Sequence, residues 1–337
     1  MNTSGLEYQQ PQSPIWSAHN FLLLTCLAIT LLVFPFYAHV YKLNRYRDEH
    51  IAVFQVIDHF YMISKSSQIS LIIMIVCVLG LVLFGDSNPI LMVGIIAICW
   101  FHLQTTTEVN HFLLSLLAIQ RFMLYFFPST HRILNFNLKQ IRIIIRSSYG
   151  LSLIYTAISI SAWIYDKVSN STDVENFKLI YTIPYFISNI LLFITAFLYI
   201  PVFMSIRKLI GISSNHDNQP QKYIFWQFVM AISLKILLLP FAYLKAVESS
   251  PYFTKFSHVE DSFWIVLALN GKILDAMSTP LIIQLSYLSC NKRNVKTFIS
   301  VFKTKNALKE VFCSCLKPPS RIENVPHSSS GSNANTS

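Results

Sequence analysis

The sequence is poor in charged residues: Asp, Glu, Lys and Arg together make up only 12% of its 337 residues. Apolar residues make up 53%, and the mean hydropathy is +0.48. In an ordinary soluble domain about a quarter of the residues are charged, so this composition excludes an ordinary soluble domain. The N-terminus also lacks a basic leader followed by a small-residue cleavage site, so we expect the first apolar run to be a retained anchor.

Seven apolar runs are long enough to cross a membrane, because about 20 helical residues rising 1.5 Å each span a hydrocarbon core of about 30 Å. They cover approximately residues 20–41, 61–84, 90–126, 147–165, 179–206, 223–247 and 262–288. These runs predict an all-α membrane protein. The short connections between them predict one seven-transmembrane helix bundle at 20–288. We further expect an extracellular segment at 1–19, an amphipathic juxtamembrane helix at 289–316 and a disordered cytoplasmic tail at 317–337.

Basic residues fall mostly on one side of these runs. That side carries Lys42, Arg45, Arg47, Arg132, Lys139, Arg142, Arg146, Arg207, Lys208, Lys222 and the segment from Lys292 onward. The other side carries only Lys167, Lys178 and Lys255. Because short basic loops stay in the cytoplasm, we predict that the N-terminus is outside and the C-terminus is cytoplasmic. This topology accounts for the net charge of +10 without a nucleic-acid partner.

Two kinds of modification site fit this orientation. The Asn-x-Ser/Thr sequons at Asn2 and Asn170 fall on predicted outer segments and are candidates for glycosylation, whereas Asn335 falls in the predicted cytoplasmic tail. Cys313 and Cys315 follow the basic amphipathic segment and are candidates for palmitoylation, against the alternative of two unmodified thiols. No cysteine lies between the fourth and fifth runs, so a disulfide from that loop is excluded.

Charged residues also lie at the middle depth of the predicted bundle. Glu108 is near the centre of the third run, Lys235 is at a similar depth in the sixth, and Lys272 and Asp275 are in the seventh. His111 shares a flank of the third helix with Glu108. Isolated charges at this depth cost several kcal/mol, so we expect them to pair or to line a hydrated cavity. These five residues are therefore candidate ligand-binding groups, with a structural ion network as the alternative.

The stretch HFLLSLLAIQRFMLYFFPST at 111–130 carries a charged Arg121 near the end of the third run. It resembles the end of the third helix in rhodopsin-like G-protein-coupled receptors, where an acid-Arg-aromatic triplet is followed by a proline seven residues after the arginine. Here Gln120 replaces the acid, and Pro128 keeps the spacing. The resemblance implies that Arg121 contacts a G protein, whereas the simpler alternative is an arginine that reaches lipid phosphates at the membrane edge.

Other features depart from rhodopsin-like receptors. The seventh run has Thr279 before Pro280 where those receptors have asparagine, and the sixth has no tryptophan two residues before Pro240. The 111–130 stretch and STPLIIQLSYLSCNKRN together resemble the nematode serpentine chemoreceptors, most closely the class Z group. That resemblance implies a non-enzymatic receptor that binds a small environmental molecule and signals through a heterotrimeric G protein. It implies a multi-pass protein of the plasma membrane, with sensory cilia as a candidate location.

Three alternatives can be weighed against the residues. A seven-span zinc hydrolase needs converging histidines, yet the fourth to seventh runs contain none. An opsin needs a retinal lysine in the seventh helix, and Lys272 is eight residues before Pro280 instead of the seven found in opsins. A transporter should show internal repeats, and none is evident. We therefore predict a chemosensory receptor without a cofactor, with a transporter or an opsin-like receptor as the alternatives.

Overall fold

The computed structural model describes residues 14–49, 54–84, 89–127, 129, 138–168, 175–210, 220–254 and 262–303. Every regular element in these ranges is a helix. In chain order they are α1 (Pro14–Asp48), α2 (Phe54–Phe84), α3 (Pro89–Phe126), α4 (Leu138–Val168), α5 (Glu175–Ile210), α6 (Pro220–Thr254), α7 (Ser262–Ser289) and α8 (Lys292–Lys303). Within the described residues, α1 to α7 are long and apolar enough to cross a membrane. The prediction of an all-α seven-transmembrane protein is confirmed.

The helices extend beyond several of the predicted apolar runs. Helix α4 begins at Leu138, nine residues before the run predicted from 147, because helical hydrogen bonds continue through Arg142 and Arg146 where hydropathy falls. Three helices begin at proline, in α1, α3 and α6, where the missing N–H costs nothing and the fixed φ angle suits the first turn. Apolar length therefore predicts the membrane crossing better than it predicts the helix ends.

Helix α7 is the most enclosed of the seven and α4 the least, with most of the α4 surface facing outward. Helix α3 is packed against α2, α4, α5 and α7, and α7 is packed against α1, α3 and α6. Most side chains near the middle of α3 and α7 therefore point into the bundle. This arrangement brings the predicted mid-depth charges of these two helices together.

One end of the bundle contains a tyrosine-rich apolar core, which we call the aromatic core. Its members include Tyr37, Tyr41, Phe60, Leu114, Leu117, Ala118, Tyr199, Tyr223, Phe228, Ile283 and Tyr287. They come from the later halves of α1, α3, α5 and α7 and from the earlier halves of α2 and α6. Tyr41 stacks on Tyr61 with ring centroids 4.0 Å apart, and Tyr287 meets Tyr37 edge to face. Close-packed rings from five helices, together with Leu114 and Leu117 of α3, hold six helices in register at this end.

Helix α8 is attached to this core through its apolar face. The Phe298 ring meets Phe36 of α1 edge to face at 5.7 Å. Asn294 is buried, accepts a 3.0 Å hydrogen bond from Asn44 Nδ2 and donates a 2.7 Å bond to the Tyr287 carbonyl. The predicted modification sites Asn2, Asn170, Cys313 and Cys315, and also Pro128, lie outside the described residues, so those predictions stay open.

Candidate ligand-binding site

A short ion pair joins α6 to α7 in the middle of the bundle. Lys235 Nζ lies 2.5 Å from Asp275 Oδ1, and it donates a second hydrogen bond of 2.6 Å to Asn189 Oδ1 on α5. The side chains of Lys235 and Asp275 are only 10% and 11% exposed. Lysine and aspartate at this depth are stable together because each compensates the other's charge.

A looser ion pair joins α7 to α3. Lys272 Nζ lies 3.7 Å from Glu108 Oε1 and 5.6 Å from the centre of the Tyr155 ring on α4. Glu108 also accepts hydrogen bonds from Ser152 Oγ at 2.9 Å and from Gln104 Nε2 at 3.2 Å. The Lys272 side chain is 4% exposed, whereas that of Glu108 is 28% exposed. Glu108 is thus the most accessible of the four charged groups.

Two cavities flank these pairs. The larger, about 240 Å³, lies between α3, α4, α5 and α7. Its lining is Gln104, Thr107, Glu108, Val109, His111, Phe112, Ser148, Leu151, Ser152, Tyr155, Pro184, Tyr185, Ser188, Asn189, Lys272 and Asp275. Four of the five predicted ligand-binding residues are in this set, all except Lys235. A cavity with an apolar wall and a few convergent polar groups is the usual form of a small-molecule site.

The smaller cavity, about 190 Å³, lies between α5, α6 and α7 and includes Lys235 and Asp275 in its lining. Tyr185, Asn189 and Asp275 line both cavities, so they form the partition between them. The Tyr185 ring occupies the space above Gly271, where an added Cβ would overlap its hydroxyl and Cζ. A glycine at this position of α7 is what allows Tyr185 to lie between the cavities.

Arg121 lies at the end of the bundle that contains the aromatic core. Its side chain is half-buried, and its Nε is buried without a hydrogen-bond partner among the described residues. Leu117 and Ala118, one turn earlier on α3, belong to the aromatic core. The preceding Gln120 is also half-buried. A simple membrane-edge arginine would keep its guanidinium outside the protein, so this partial burial favours an inward-facing role.

Several residues of the site were not predicted as site residues. Asn189 joins the α6–α7 ion pair, and Ser152 and Gln104 bind Glu108. Serines and threonines in these helices commonly donate to their own backbone, as Thr156 does to the Ser152 carbonyl. Such residues carry no sequence signal that separates a pocket group from a satisfied helix residue. The described residues contain no group of three or more His, Cys, Asp or Glu that could hold a metal ion.

Seven membrane-length helices around a mid-depth polar cavity define a multi-pass membrane protein. The chain matches the family described as serpentine type 7TM GPCR chemoreceptor Srz over residues 20–292, about four-fifths of its length. It belongs to this family, as the two quoted blocks of sequence predicted. No curated protein and no solved structure gives a significant match.

Proposed function

We propose that this chemoreceptor binds a small environmental molecule in the larger cavity and signals through a heterotrimeric G protein at the plasma membrane. The single observation that carries the proposal is the placement of two mid-depth ion pairs at that cavity. Glu108, Lys272 and Asp275 line it, and Lys235 lies directly behind Asp275. A ligand in this cavity lies against α3, α5 and α7 directly, and Asp275 connects it to Lys235 of α6 through one hydrogen bond.

Binding can act on the bundle because the two ion pairs bridge different helices. A ligand that hydrogen-bonds Glu108 or displaces Tyr185 changes the relative free energy of two arrangements of α3, α5, α6 and α7. If the ligand binds one of these two helix arrangements more tightly than the other, it shifts the population of receptors toward the arrangement that it binds more tightly. His111, which is buried in the wall of the cavity, is a further contact for the ligand.

The G-protein contact of this proposal is the end of the bundle that contains Arg121, Gln120 and Pro128. Its support is the partial burial of Arg121 beside the aromatic core and the charge asymmetry of the loops. In this orientation the N-terminal segment with Asn2 and the segment with Asn170 are extracellular, and both asparagines are glycosylated. Helix α8 then lies along the anionic inner leaflet, where Cys313 and Cys315 are palmitoylated.

The experiment is expression of the intact chain in a reporter cell with a promiscuous G protein, screened against volatile and water-soluble cues. We expect the cue-dependent response per receptor at the cell surface to be lost in Lys235→Met and retained in a surface control, Leu153→Ala on the outward face of α4. Surface abundance of each variant is measured in the same cells. A response per surface receptor that persists in Lys235→Met would show that the polar cluster is not required for signalling.

A further inference from the structure

The larger cavity opens toward the lipid-facing side of the bundle at mid-membrane depth. Phe112 and Leu151 belong to its lining, and they are also 43% and 66% exposed. Both lie near the middle of long helices, α3 and α4, so they face hydrocarbon and not the water on either side. Pro184 and Ser188 of α5 are partly exposed members of the same lining. The mouth of the cavity is therefore a lipid-facing gap between α4 and α5 in which Phe112 of α3 is also exposed.

This gap is closed toward the beginning of α5. The Tyr155 hydroxyl on α4 donates a 3.0 Å hydrogen bond to the Ile180 carbonyl on α5, which ties the two helices together there. The same tyrosine ring lies beside Lys272 at the deep end of the cavity. A molecule entering between α4 and α5 therefore passes apolar side chains first and meets polar groups last.

The charges in the cavity are already balanced. Asp275 is paired with Lys235 at 2.5 Å, and Glu108 with Lys272 at 3.7 Å. A charged ligand would bring an uncompensated charge into this site, at a cost of several kcal/mol, and it would have to cross the apolar mouth. A carboxylate has room for about four hydrogen bonds; Glu108 accepts them from Ser152 and Gln104, and Lys272 Nζ lies 3.7 Å away as an ion-pair partner. The 28% exposed side chain of Glu108 can therefore accept one more from a ligand.

We infer that the receptor takes a neutral, mainly apolar molecule with one hydroxyl group, which enters from the bilayer between α4 and α5 and donates its hydroxyl hydrogen to Glu108. This inference rests on the proposed function for its meaning as a signal, but the binding itself does not require a G protein. The cavity volume of about 240 Å³ limits the ligand to a small molecule, below the usual size of drug-like pockets.

Photolabelling of the full chain in lipid nanodiscs tests this inference. The probes are diazirine analogues of 1-octanol, octanoic acid and octylamine, which share one alkyl body and differ in charge. They are compared at equal concentration in the membrane, and labelled residues are mapped by mass spectrometry. We expect the octanol probe to label the cavity residues at least about tenfold more than either charged probe, since a factor of ten corresponds to only about 1.4 kcal/mol. Excess 1-octanol should remove the labelling.

Two tryptophan variants test the route. Leu151→Trp fills the mouth and should reduce cavity labelling by the octanol probe about tenfold, whereas Leu153→Trp is the matched control and should leave it unchanged. Leu153 is 60% exposed on the same helix and does not line the cavity. Both changes are on the outer surface, so elution as a monodisperse receptor checks that folding is retained. Equal labelling in both variants would overturn entry between α4 and α5.

A charge variant tests the ligand class. Glu108→Gln removes the partner of Lys272, so the preferred probe should change from octanol to octanoic acid. Strong labelling of the wild-type cavity by a charged probe, or no cavity labelling by octanol, would overturn the neutral-ligand inference. A cavity labelled by octanol in a receptor that never activates a G protein would instead contradict the proposed function and leave this binding site intact.

Discussion

The two levels of the bundle are built in opposite ways. Around Arg121 the interior is filled by the aromatic core, in which tyrosine rings of α1, α6 and α7 contact one another directly. At the middle level the interior contains two cavities and four charged side chains. A close-packed interior transmits a displacement, whereas a cavity can be occupied and can change shape. This contrast fits the proposal that a ligand binds at the middle level and that the helices respond around Arg121.

The ion pairs of the two levels differ in length and in exposure to solvent. The described ion pair beside the aromatic core joins Arg45 to Asp58 at 3.9 Å, with both side chains more than a third exposed. The Lys235–Asp275 pair is shorter and far more buried. Exposed pairs contribute about 0–1 kcal/mol, and removing one partner of a buried pair costs about 3–5 kcal/mol. Disruption at the middle level should therefore affect the fold more.

The largest expected effect follows from breaking the buried pair. Asp275→Ala leaves Lys235 buried without its carboxylate, and we expect a loss of about 3–5 kcal/mol of stability and low surface abundance. Arg45→Gln, the matched change in the exposed pair, should cost less than about 1 kcal/mol. Thermal unfolding of the detergent-solubilised proteins measures both. Equal melting temperatures for the two variants would contradict the contrast in burial.

The second effect separates two tyrosines of the aromatic core. The Tyr41 hydroxyl donates a 2.5 Å hydrogen bond to Asp58 Oδ1, whereas the Tyr37 hydroxyl is buried without a partner among the described residues. Tyr41→Phe should cost about 1.5–3 kcal/mol, the range for hydrogen bonds to charged groups. Tyr37→Phe removes an unsatisfied hydroxyl and should leave stability unchanged or raise it. A greater loss in Tyr37→Phe than in Tyr41→Phe would show that the core is packed differently.

The third effect tests the partition between the cavities. Gly271→Ala places a Cβ against the Tyr185 hydroxyl, so the ring must move, at a cost of about 1–3 kcal/mol. We expect weaker octanol-probe labelling of the larger cavity with little change in surface abundance. Tyr185→Phe in the same background removes the overlapping hydroxyl and should restore part of the labelling. Full labelling in Gly271→Ala alone would mean that Tyr185 does not separate the cavities.

The smallest expected effect concerns the missing acid beside Arg121. Gln120→Glu adds a carboxylate that can pair with Arg121 and stabilise the inactive arrangement by about 1 kcal/mol. Basal signalling in the reporter cell should fall about fivefold, at unchanged surface abundance. Gln120→Ala is the control, because it removes the amide without adding charge. A similar fall in Gln120→Ala would show that loss of the glutamine side chain, not a new ion pair, is responsible.

Some features of the fold are encoded locally in the sequence. Helix α3 begins at Pro89, one residue before the run predicted from Ile90, because apolar length is a property of the chain itself. The common depth of Lys235, Lys272 and Asp275 also follows from counting residues along each helix. Their partners do not follow, because Lys235 pairs with Asp275 only through the rotation and packing of α6 against α7.

Uncharged groups were harder to predict than charged ones. A buried lysine requires compensation, so its sequence position indicates a partner nearby. Asn189 and Ser152 can satisfy their hydrogen bonds within their own helix, and Asn189 Nδ2 does donate to the Tyr185 carbonyl. Their part in the site became visible only with the tertiary contacts.

G-protein activation by Arg121→Lys, compared with the surface abundance of this variant, tests whether Arg121 contacts a G protein. Lysine keeps the positive charge but loses the planar five-donor guanidinium that can hold several acceptors at once. We predict that guanine-nucleotide exchange driven by the active cue falls about tenfold, the equivalent of one or two lost hydrogen bonds, while abundance stays near that of the wild type. Normal exchange in Arg121→Lys would show that Arg121 is a membrane-edge anchor and does not contact the G protein.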